Sequence, residues 1–102
     1  MAVIESRLDR ASAEYRENVA YFTGLVGELR ERIARAQQGG GESAIAKHRA
    51  RNKLLARERI ERLCDLDTPF LEFNPLAAEG MYDGDAPSAG IVTGIGVIEG
   101  QE

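Results

Sequence analysis

The sequence has one cysteine, one histidine and no tryptophan in its 102 residues. A single thiol, Cys64, excludes an internal disulfide and is typical of a reducing compartment. One Cys and one His do not supply the ligands of a zinc site, so we expect no bound metal. No apolar run approaches the roughly 20 residues that cross a bilayer. Because the first residues also lack the apolar core of a signal peptide, the sequence predicts a cytoplasmic protein.

Positive charge is missing from the last part of the chain. Residues 63 to 102 carry eight acidic residues and no Lys or Arg, whereas residues 1 to 41 carry six of each sign. Residues 42 to 62, which we call the basic block, carry seven Lys or Arg against three acidic residues. The net charge of -4 and pI of about 5.1 exclude a dedicated nucleic-acid binder, which needs a basic field overall.

A long amphipathic helix is predicted from Ser6 to Gln38, because apolar residues recur there every three or four positions. The stripe comprises Leu8, Ala11, Tyr15, Val19, Phe22, Val26, Leu29, Ile33 and Ala36. So narrow a stripe on a short chain needs a partner surface, in the same polypeptide or on another subunit. Gly39-Gly40-Gly41 ends the helix, since glycine readily adopts the left-handed conformation of a helix C-terminus.

The remaining residues predict short helices followed by strands, and hence an α+β fold. We expect a helical turn over 43–48 with Ser43 as N-cap, and a helix over 53–63. Phe70 to Phe73 predicts a strand, residues 82–88 a loop, and residues 90–98 a β-rich run. Gly100 is typical of a hairpin turn, and the missing return strand indicates a chain cut short. We therefore expect a helical arm over 1–41 and the start of a domain over 42–102.

Several motifs favour structural over chemical roles. The triple glycine follows a helix and lacks the Gly-Lys pair of a P-loop, so we interpret it as a helix terminator. Gly94 and Gly96 lack the third glycine and the helix of a dinucleotide fingerprint, which indicates close backbone packing in a strand. His48 has no nucleophile or orienting carboxylate in view and is interpreted as a surface or structural residue. Cys64 is interpreted as a buried small hydrophobe.

The basic block has two interpretations. It could hold the phosphates of a ligand such as coenzyme A through charge-assisted hydrogen bonds. Alternatively, its cations and acids could satisfy one another as a lattice of ion pairs along a helix. Charge pattern alone favours the ion-pair lattice, because such runs are usually solvated or paired surfaces.

Four strings in the sequence resemble consecutive landmarks of one enzyme family over about residues 15 to 100. They are GGGESAIAKHRARNKLLARERIERLCD, TPFLEF, PLAAEGMYDG and GIVTGIGVIEG. Their order and spacing are similar to those of the carboxyltransferase (beta) subunits of biotin-dependent acyl-CoA carboxylases of the methylcrotonyl-CoA type. Two positions depart from the family pattern, which usually has glycine at Asn52 and arginine at Val97.

The resemblance implies the N-terminal part of a crotonase-like carboxyltransferase domain, in an oligomer with a biotin-carrying alpha subunit. Such a subunit transfers a carboxyl group from carboxybiotin to 3-methylcrotonyl-CoA or a related acyl-CoA. The glycine-rich turns that form the family's oxyanion holes lie beyond residue 102, so we expect no catalytic residue here and no cofactor bound by this segment. The candidate ligand contacts are Arg51, Lys53 and Arg57, placed near coenzyme A phosphates.

Three hypotheses remain open: part of a carboxyltransferase, a helical assembly module without chemistry, and a small anion or coenzyme A binder. We also predict that the isolated chain is poorly folded or self-associated, because its helical stripe and open strand edge lack partners.

Overall fold

Three helices precede a two-stranded sheet in the computed structural model, which describes residues 2–102. The helices are α1 (Ala13–Gln37), α2 (Gly41–Ala50) and α3 (Ala56–Leu63), and the strands are β1 (Leu71–Phe73) and β2 (Thr93–Ile95). Two one-turn 3₁₀ segments, Met81–Gly84 and Pro87–Gly90, lie between the strands in sequence. This mixture of helix and strand confirms the predicted α+β class. The chain divides into two compact units, one ending at Glu31 and the other spanning Arg32–Glu102.

Helix α1 begins seven residues later than the sequence predicted, because two side chains fix a turn ahead of it. The Asp9 carboxylate accepts a hydrogen bond from the Ala11 backbone N–H at 2.9 Å. The Ser12 hydroxyl donates to the Asp9 carbonyl at 2.8 Å and accepts from the Tyr15 N–H at 3.1 Å. Ser12 is therefore the N-cap, and its bonds compete with continuation of the helix toward Ser6.

The apolar stripe of α1 is largely exposed. Val19, Phe22, Val26 and Leu29 expose 41% to 61% of their surface, and no residue of α1 is buried. Stability of a helix in a protein comes mainly from packing of its apolar face, which α1 does not obtain from residues 2–102. The exposure agrees with the expectation that this stripe needs a partner surface.

The triple glycine follows the end of α1, as predicted, and its last residue, Gly41, begins α2. Gly39 and Gly41 have φ of 66° and 85°, which place them in the left-handed region. Helix α2 is longer than the predicted turn, and Ser43 lies inside it. The N-cap is Gly40, without a side-chain hydrogen bond, so the expectation for Ser43 was wrong. The left-handed backbone at Gly39 and Gly41 turns the chain before Ser43, so the helix begins ahead of that residue.

Helix α3 begins at Ala56, three residues after the predicted start. Leu55 has an extended backbone, and its N–H donates to the Glu58 carboxylate at 2.8 Å. This is the reciprocal half of a capping box, with the acidic residue three positions into the turn accepting from the N-cap backbone. The contact leaves Lys53 in the connection between α2 and α3.

The two strands pair antiparallel, with Glu72 opposite Gly94. Phe70 lies against Gly94 and Gly96 on the sheet face that also meets Cys64. A Cβ atom at Gly96 would lie 2.6 Å from Cys64 Sγ, and one at Gly94 would collide with the Leu71 carbonyl oxygen and the Phe70 ring. Both glycines therefore permit close packing, which confirms their interpretation from the sequence.

A tight turn follows β2, as the sequence predicted from Gly100. Ile98 pairs with Gln101, and the two central residues, Glu99 and Gly100, have φ of 51° and 77°. Both carboxylate oxygens of Asp65 accept from this turn, from the Glu99 N–H at 2.7 Å and the Gly100 N–H at 2.8 Å. Asp65, just after α3, thus holds the turn against the end of that helix.

No hydrophobic side chain is buried within residues 2–102. Ser88 is the buried polar residue, at 5% exposure, and its hydroxyl donates to the Pro75 carbonyl at 2.8 Å. Cys64 is half-buried. The interpretation of Cys64 as a buried small hydrophobe is therefore met only in part: the thiol packs against the sheet at Gly96, but the residue keeps some exposure.

Candidate anion-binding loop

The connection between α2 and α3 presents two cations in one turn. Arg51 and Lys53 are both exposed, and their backbone N–H groups both donate to the His48 carbonyl, at 3.2 and 3.3 Å. Between them, Asn52 has φ of 54° and donates its N–H to the Arg49 carbonyl at 2.9 Å. This pattern is a left-handed C-terminal turn that closes α2. We call residues 48–55 the basic loop.

Asn52 occupies the position where the resembled family usually has glycine. The left-handed backbone explains that preference, because glycine adopts positive φ without a steric penalty. Asparagine is among the residues that tolerate this region best. The departure at Asn52 is therefore compatible with the turn.

His48 closes the basic loop with its side chain. Its Nε2 lies 2.9 Å from the Leu54 carbonyl oxygen. Because a carbonyl oxygen only accepts hydrogen bonds, Nε2 carries the proton in this contact. The imidazole is half-buried, and this contact agrees with a structural role for His48.

Glu58 joins the two ends of the basic loop. Its carboxylate accepts from the Leu55 N–H at 2.8 Å and from the Arg49 guanidinium at 2.6 Å. The Leu55 hydrogen bond and, beside it, the Arg49 cation hold the pKa of Glu58 below its ordinary value, against an opposing effect of desolvation. Glu58 is thus ionised and already paired, so it does not neutralise Arg51 or Lys53. Among the described residues, neither of those two cations forms an ion pair.

Arg57, the third predicted ligand contact, is engaged elsewhere. Its guanidinium donates two hydrogen bonds to the Glu72 carboxylate, at 2.8 and 2.7 Å, and so joins α3 to β1. The side chains of Arg57 and Glu72 are only 29% and 13% exposed. The Arg57 hydrogen bonds hold the pKa of Glu72 below its ordinary value, although partial burial opposes this.

The structure supports part of each interpretation of the basic block. Two of its cations are paired, but between elements and not along one helix: Arg49 of α2 pairs with Glu58 of α3, and Arg57 of α3 pairs with Glu72 of β1. Arg51 and Lys53 have no ion-pair partner among the described residues, so they are available to an anion. No local pattern identifies Glu72 as the partner of Arg57, because the two residues lie 15 positions apart. The capping role of Glu58 could have been predicted from the sequence, because an acidic residue in the first turn of a helix often accepts a hydrogen bond from the N-cap backbone.

A cavity of about 380 Å³ lies beside the basic loop, within the second unit. His48, Leu55 and Arg57 form part of its wall, with Ser88 and Val92 from the segment before β2. A pocket of this size is within the range of small-molecule sites. Its wall is mostly apolar, and its cation is the paired Arg57.

Neither a metal cluster nor a membrane-spanning helix is found in the part of the chain that the structure describes. No three His, Cys, Asp or Glu side chains in residues 2–102 converge on a common point. No helix there is long and apolar enough to cross a bilayer.

Sequence comparison connects the second unit with a known family. Residues 47–102, which include the basic loop and both strands, match the family described as "Carboxyl transferase domain". The match covers more than half of the chain.

Individual relatives match almost the whole sequence. A protein of Drosophila melanogaster named "Probable methylcrotonoyl-CoA carboxylase beta chain, mitochondrial" is 46% identical over 98% of this chain. The Arabidopsis thaliana methylcrotonoyl-CoA carboxylase beta chain is 43% identical over 99% of it. A Mycobacterium tuberculosis protein named "Biotin-dependent 3-methylcrotonyl-coenzyme A carboxylase beta1 subunit" is 53% identical over 76%. The matched segments span 18%, 17% and 15% of those relatives.

Proposed function

The chain belongs to the carboxyl transferase domain family, and from that premise we propose that it forms the N-terminal part of the carboxyltransferase beta subunit of an acyl-CoA carboxylase. The identity of 43% to 46% with methylcrotonoyl-CoA carboxylase beta chains, over 98% to 99% of this sequence, carries the proposal. The substrate would be 3-methylcrotonyl-CoA or a related acyl-CoA. The biotin would be carried by a partner alpha subunit, and other beta subunits would complete the oligomer.

The reaction proposed for the whole subunit moves a carboxyl group from nitrogen to carbon. The bond between the biotin ureido nitrogen and the carboxyl carbon breaks, and a bond from that carbon to the γ-carbon of the acyl group forms. The γ-carbon gives up a proton, and the ureido nitrogen regains one. The resemblance assigns the groups that stabilise the charged intermediates to turns beyond residue 102. We therefore assign no catalytic residue to this chain, which supplies scaffold and substrate contacts.

The crotonase-like fold and the division into an arm over 1–41 and a domain from 42 onward are parts of the same proposal. The start of the family match at residue 47, close to the proposed boundary, favours the division. The cytoplasm stays the compartment predicted from the sequence. The names of the fly and plant relatives place those proteins in mitochondria, so the compartment is a point to measure.

Arg51 and Lys53 are the residues that we propose as contacts of the coenzyme A phosphates. Both are exposed in one turn, and Glu58, the acidic residue that bonds to the loop backbone at Leu55, forms its ion pair with Arg49. Phosphate oxygens accept charge-assisted hydrogen bonds from such cations. Arg57 belongs to the proposed set through the N–H groups that Glu72 does not occupy and through the cavity wall, while each of its two terminal nitrogens donates one hydrogen bond to Glu72.

The reaction class is tested by assaying the intact carboxylase that contains this chain. ATP-dependent fixation of labelled bicarbonate would be compared for 3-methylcrotonyl-CoA, geranyl-CoA and propionyl-CoA. We expect fixation on 3-methylcrotonyl-CoA or on one of the related substrates. No fixation on any acyl-CoA, in a preparation with carboxylated biotin on the partner, would exclude the proposal.

The phosphate contacts are tested with a charge-matched control. Replacing Arg51 and Lys53 by Ala removes one Arg and one Lys from the basic loop. Replacing Arg59 and Lys47, both exposed, removes the same charges elsewhere in the basic block. We expect the loop variant to raise the KM for acyl-CoA roughly 10- to 100-fold, which corresponds to a total loss of about 1.5–3 kcal/mol, the contribution of one charge-assisted hydrogen bond. Equal KM values for the two variants would dispose of the site.

A second candidate function is a helical assembly module. The exposed stripe of α1, from Val19 to Leu29, favours it, because such a surface is normally covered by protein. Replacing Phe22 and Val26 by Glu would abolish subunit assembly if the stripe is an interface. If that variant assembles and catalyses normally, the stripe is not a subunit interface. The third hypothesis, a small anion or coenzyme A binder, requires that the isolated chain bind coenzyme A.

A further inference from the structure

The basic loop is held in shape by contacts that do not involve the side chains of its two exposed cations, Arg51 and Lys53. His48 supplies three of them: its carbonyl accepts from the N–H groups of Arg51 and Lys53, and its imidazole Nε2 lies 2.9 Å from the Leu54 carbonyl. The backbone contacts close the turn on one side, and the imidazole closes it on the other. One residue in the last turn of α2 thus fixes both flanks of the loop.

Glu58 provides a second closure at the base of the loop. It bonds both the Leu55 N–H, after the loop, and the Arg49 guanidinium, before the loop, at 2.8 and 2.6 Å. With the left-handed Asn52 at the apex, the path of the chain is fixed from residue 48 to residue 55. Order of this kind lowers the entropy lost when a ligand binds, so it contributes to affinity without touching the ligand.

We infer that His48 is a positioning residue for anion recognition, and that its Nε2 to Leu54 hydrogen bond pre-orders Arg51 and Lys53 for a phosphate group of the acyl-CoA. The inference rests on the proposed function, because it assigns that phosphate to the same loop. His48 does not touch the phosphate in this arrangement. Its effect passes through the backbone at Leu54 and through the turn that carries the two cations.

The conservative and the disruptive substitutions at His48 differ in one property. His48→Gln retains an N–H donor near the position of Nε2, whereas His48→Leu fills a similar volume without a donor. In the intact carboxylase, we expect His48→Leu to raise the KM for acyl-CoA about three- to tenfold, the equivalent of one net hydrogen bond. The kcat with saturating acyl-CoA is expected to stay within about twofold, and His48→Gln is expected to restore most of the affinity.

Hydrogen exchange of the peptide covering residues 48–55 gives a readout that does not depend on the ligand. We expect His48→Leu to accelerate exchange at the Arg51 and Lys53 amides and His48→Gln to slow it again. Gly96→Ala serves as the control for general destabilisation, because it strains the packing at Cys64, outside the loop. The control is expected to lower the melting temperature without changing the KM for acyl-CoA.

The outcomes separate the inference from the function on which it rests. Unchanged exchange in His48→Leu would overturn the inference whatever the enzyme's substrate. Faster exchange with unchanged KM, while the Arg51 and Lys53 double variant raises KM, would show that loop order is not used in binding. If that double variant also has unchanged KM, the proposed phosphate site fails and the inference falls with it. Carboxylation of acyl-CoA would then still stand by the fixation assay.

Discussion

The paired Arg57 and Glu72 provide the most direct test of how α3 is held to the sheet. Glu72→Gln removes the negative charge and one of the two acceptor oxygens but keeps the shape of the side chain. The pair is bidentate, and its side chains are 29% and 13% exposed. Breaking a fully buried pair costs about 3–5 kcal/mol and an exposed one about 0–1 kcal/mol. Because this pair is largely but not fully covered, we expect a loss of free energy of unfolding of roughly 2–3 kcal/mol.

The chain contains a natural control for that experiment. Glu79 forms a single contact of 3.2 Å with Arg32, and these side chains are 36% and 46% exposed. We expect Glu79→Gln to cost at most about 1 kcal/mol, since exposed pairs are screened by solvent. Both variants would be followed in the intact protein by amide exchange of α3 and β1 and by chemical unfolding. Equal effects of the two substitutions would refute the reasoning that burial and bidentate geometry set the strength of the pair.

The pH dependence of Glu72 supplies an independent check. Its pKa in the folded protein is lowered from 4.5 by the Arg57 hydrogen bonds. A lowered pKa means that the contribution to stability is complete above the unfolded value and is lost as the pH falls through the folded value. The difference in stability between the natural protein and Glu72→Gln should therefore shrink as the solution is acidified from pH 5. A difference that stayed constant to pH 3 would contradict this.

Three further predictions concern the loop, the sheet and the chain as a whole. Asn52→Gly should change the free energy of unfolding little, whereas Asn52→Val should lower it by about 1–2 kcal/mol, because the branched valine side chain disfavours the left-handed region. Equal free energies of unfolding for the two variants would contradict the assignment of the turn. Gly96→Ala should lower the free energy of unfolding by about 1–3 kcal/mol through overpacking. Adding Cys64→Ala should recover part of this loss, since it removes the thiol that lies 2.6 Å from the new Cβ. Additive losses from the two substitutions would count against this contact. The isolated chain should lack a cooperative thermal transition, because no hydrophobic side chain is buried within residues 2–102. A monodisperse monomer that melts sharply would overturn that expectation.

The features predicted well from the sequence are those with a local cause. The triple glycine, the strand at Leu71–Phe73 and the turn at Gly100 each depend on conformational preferences of a few adjacent residues. The start of α1 was missed because a hydrophobic pattern does not register the hydrogen bonds of Asp9 and Ser12. A short polar side chain can stop a helix whose apolar period continues beyond it.

The candidate site was predictable in composition but not in arrangement. The excess of cations over residues 42–62 indicated an anion site or an ion-pair lattice, and charge alone could not divide the residues between them. That division depends on Glu72, which reaches Arg57 only when β1 lies against α3. The roles of His48 and Glu58 likewise depend on the turn at Asn52, which brings the ends of the loop together.

The basic loop separates the parts that set its shape from the parts that carry its exposed charge. His48, Arg49, Asn52 and Glu58 define the path of the backbone, while the side chains of Arg51 and Lys53 project from it without internal ion pairs. Substitution at these two positions can therefore alter charge or reach without rebuilding the turn. Anion preference could therefore change, by natural variation or by engineering, through substitutions at these two positions while the backbone of the loop stays the same.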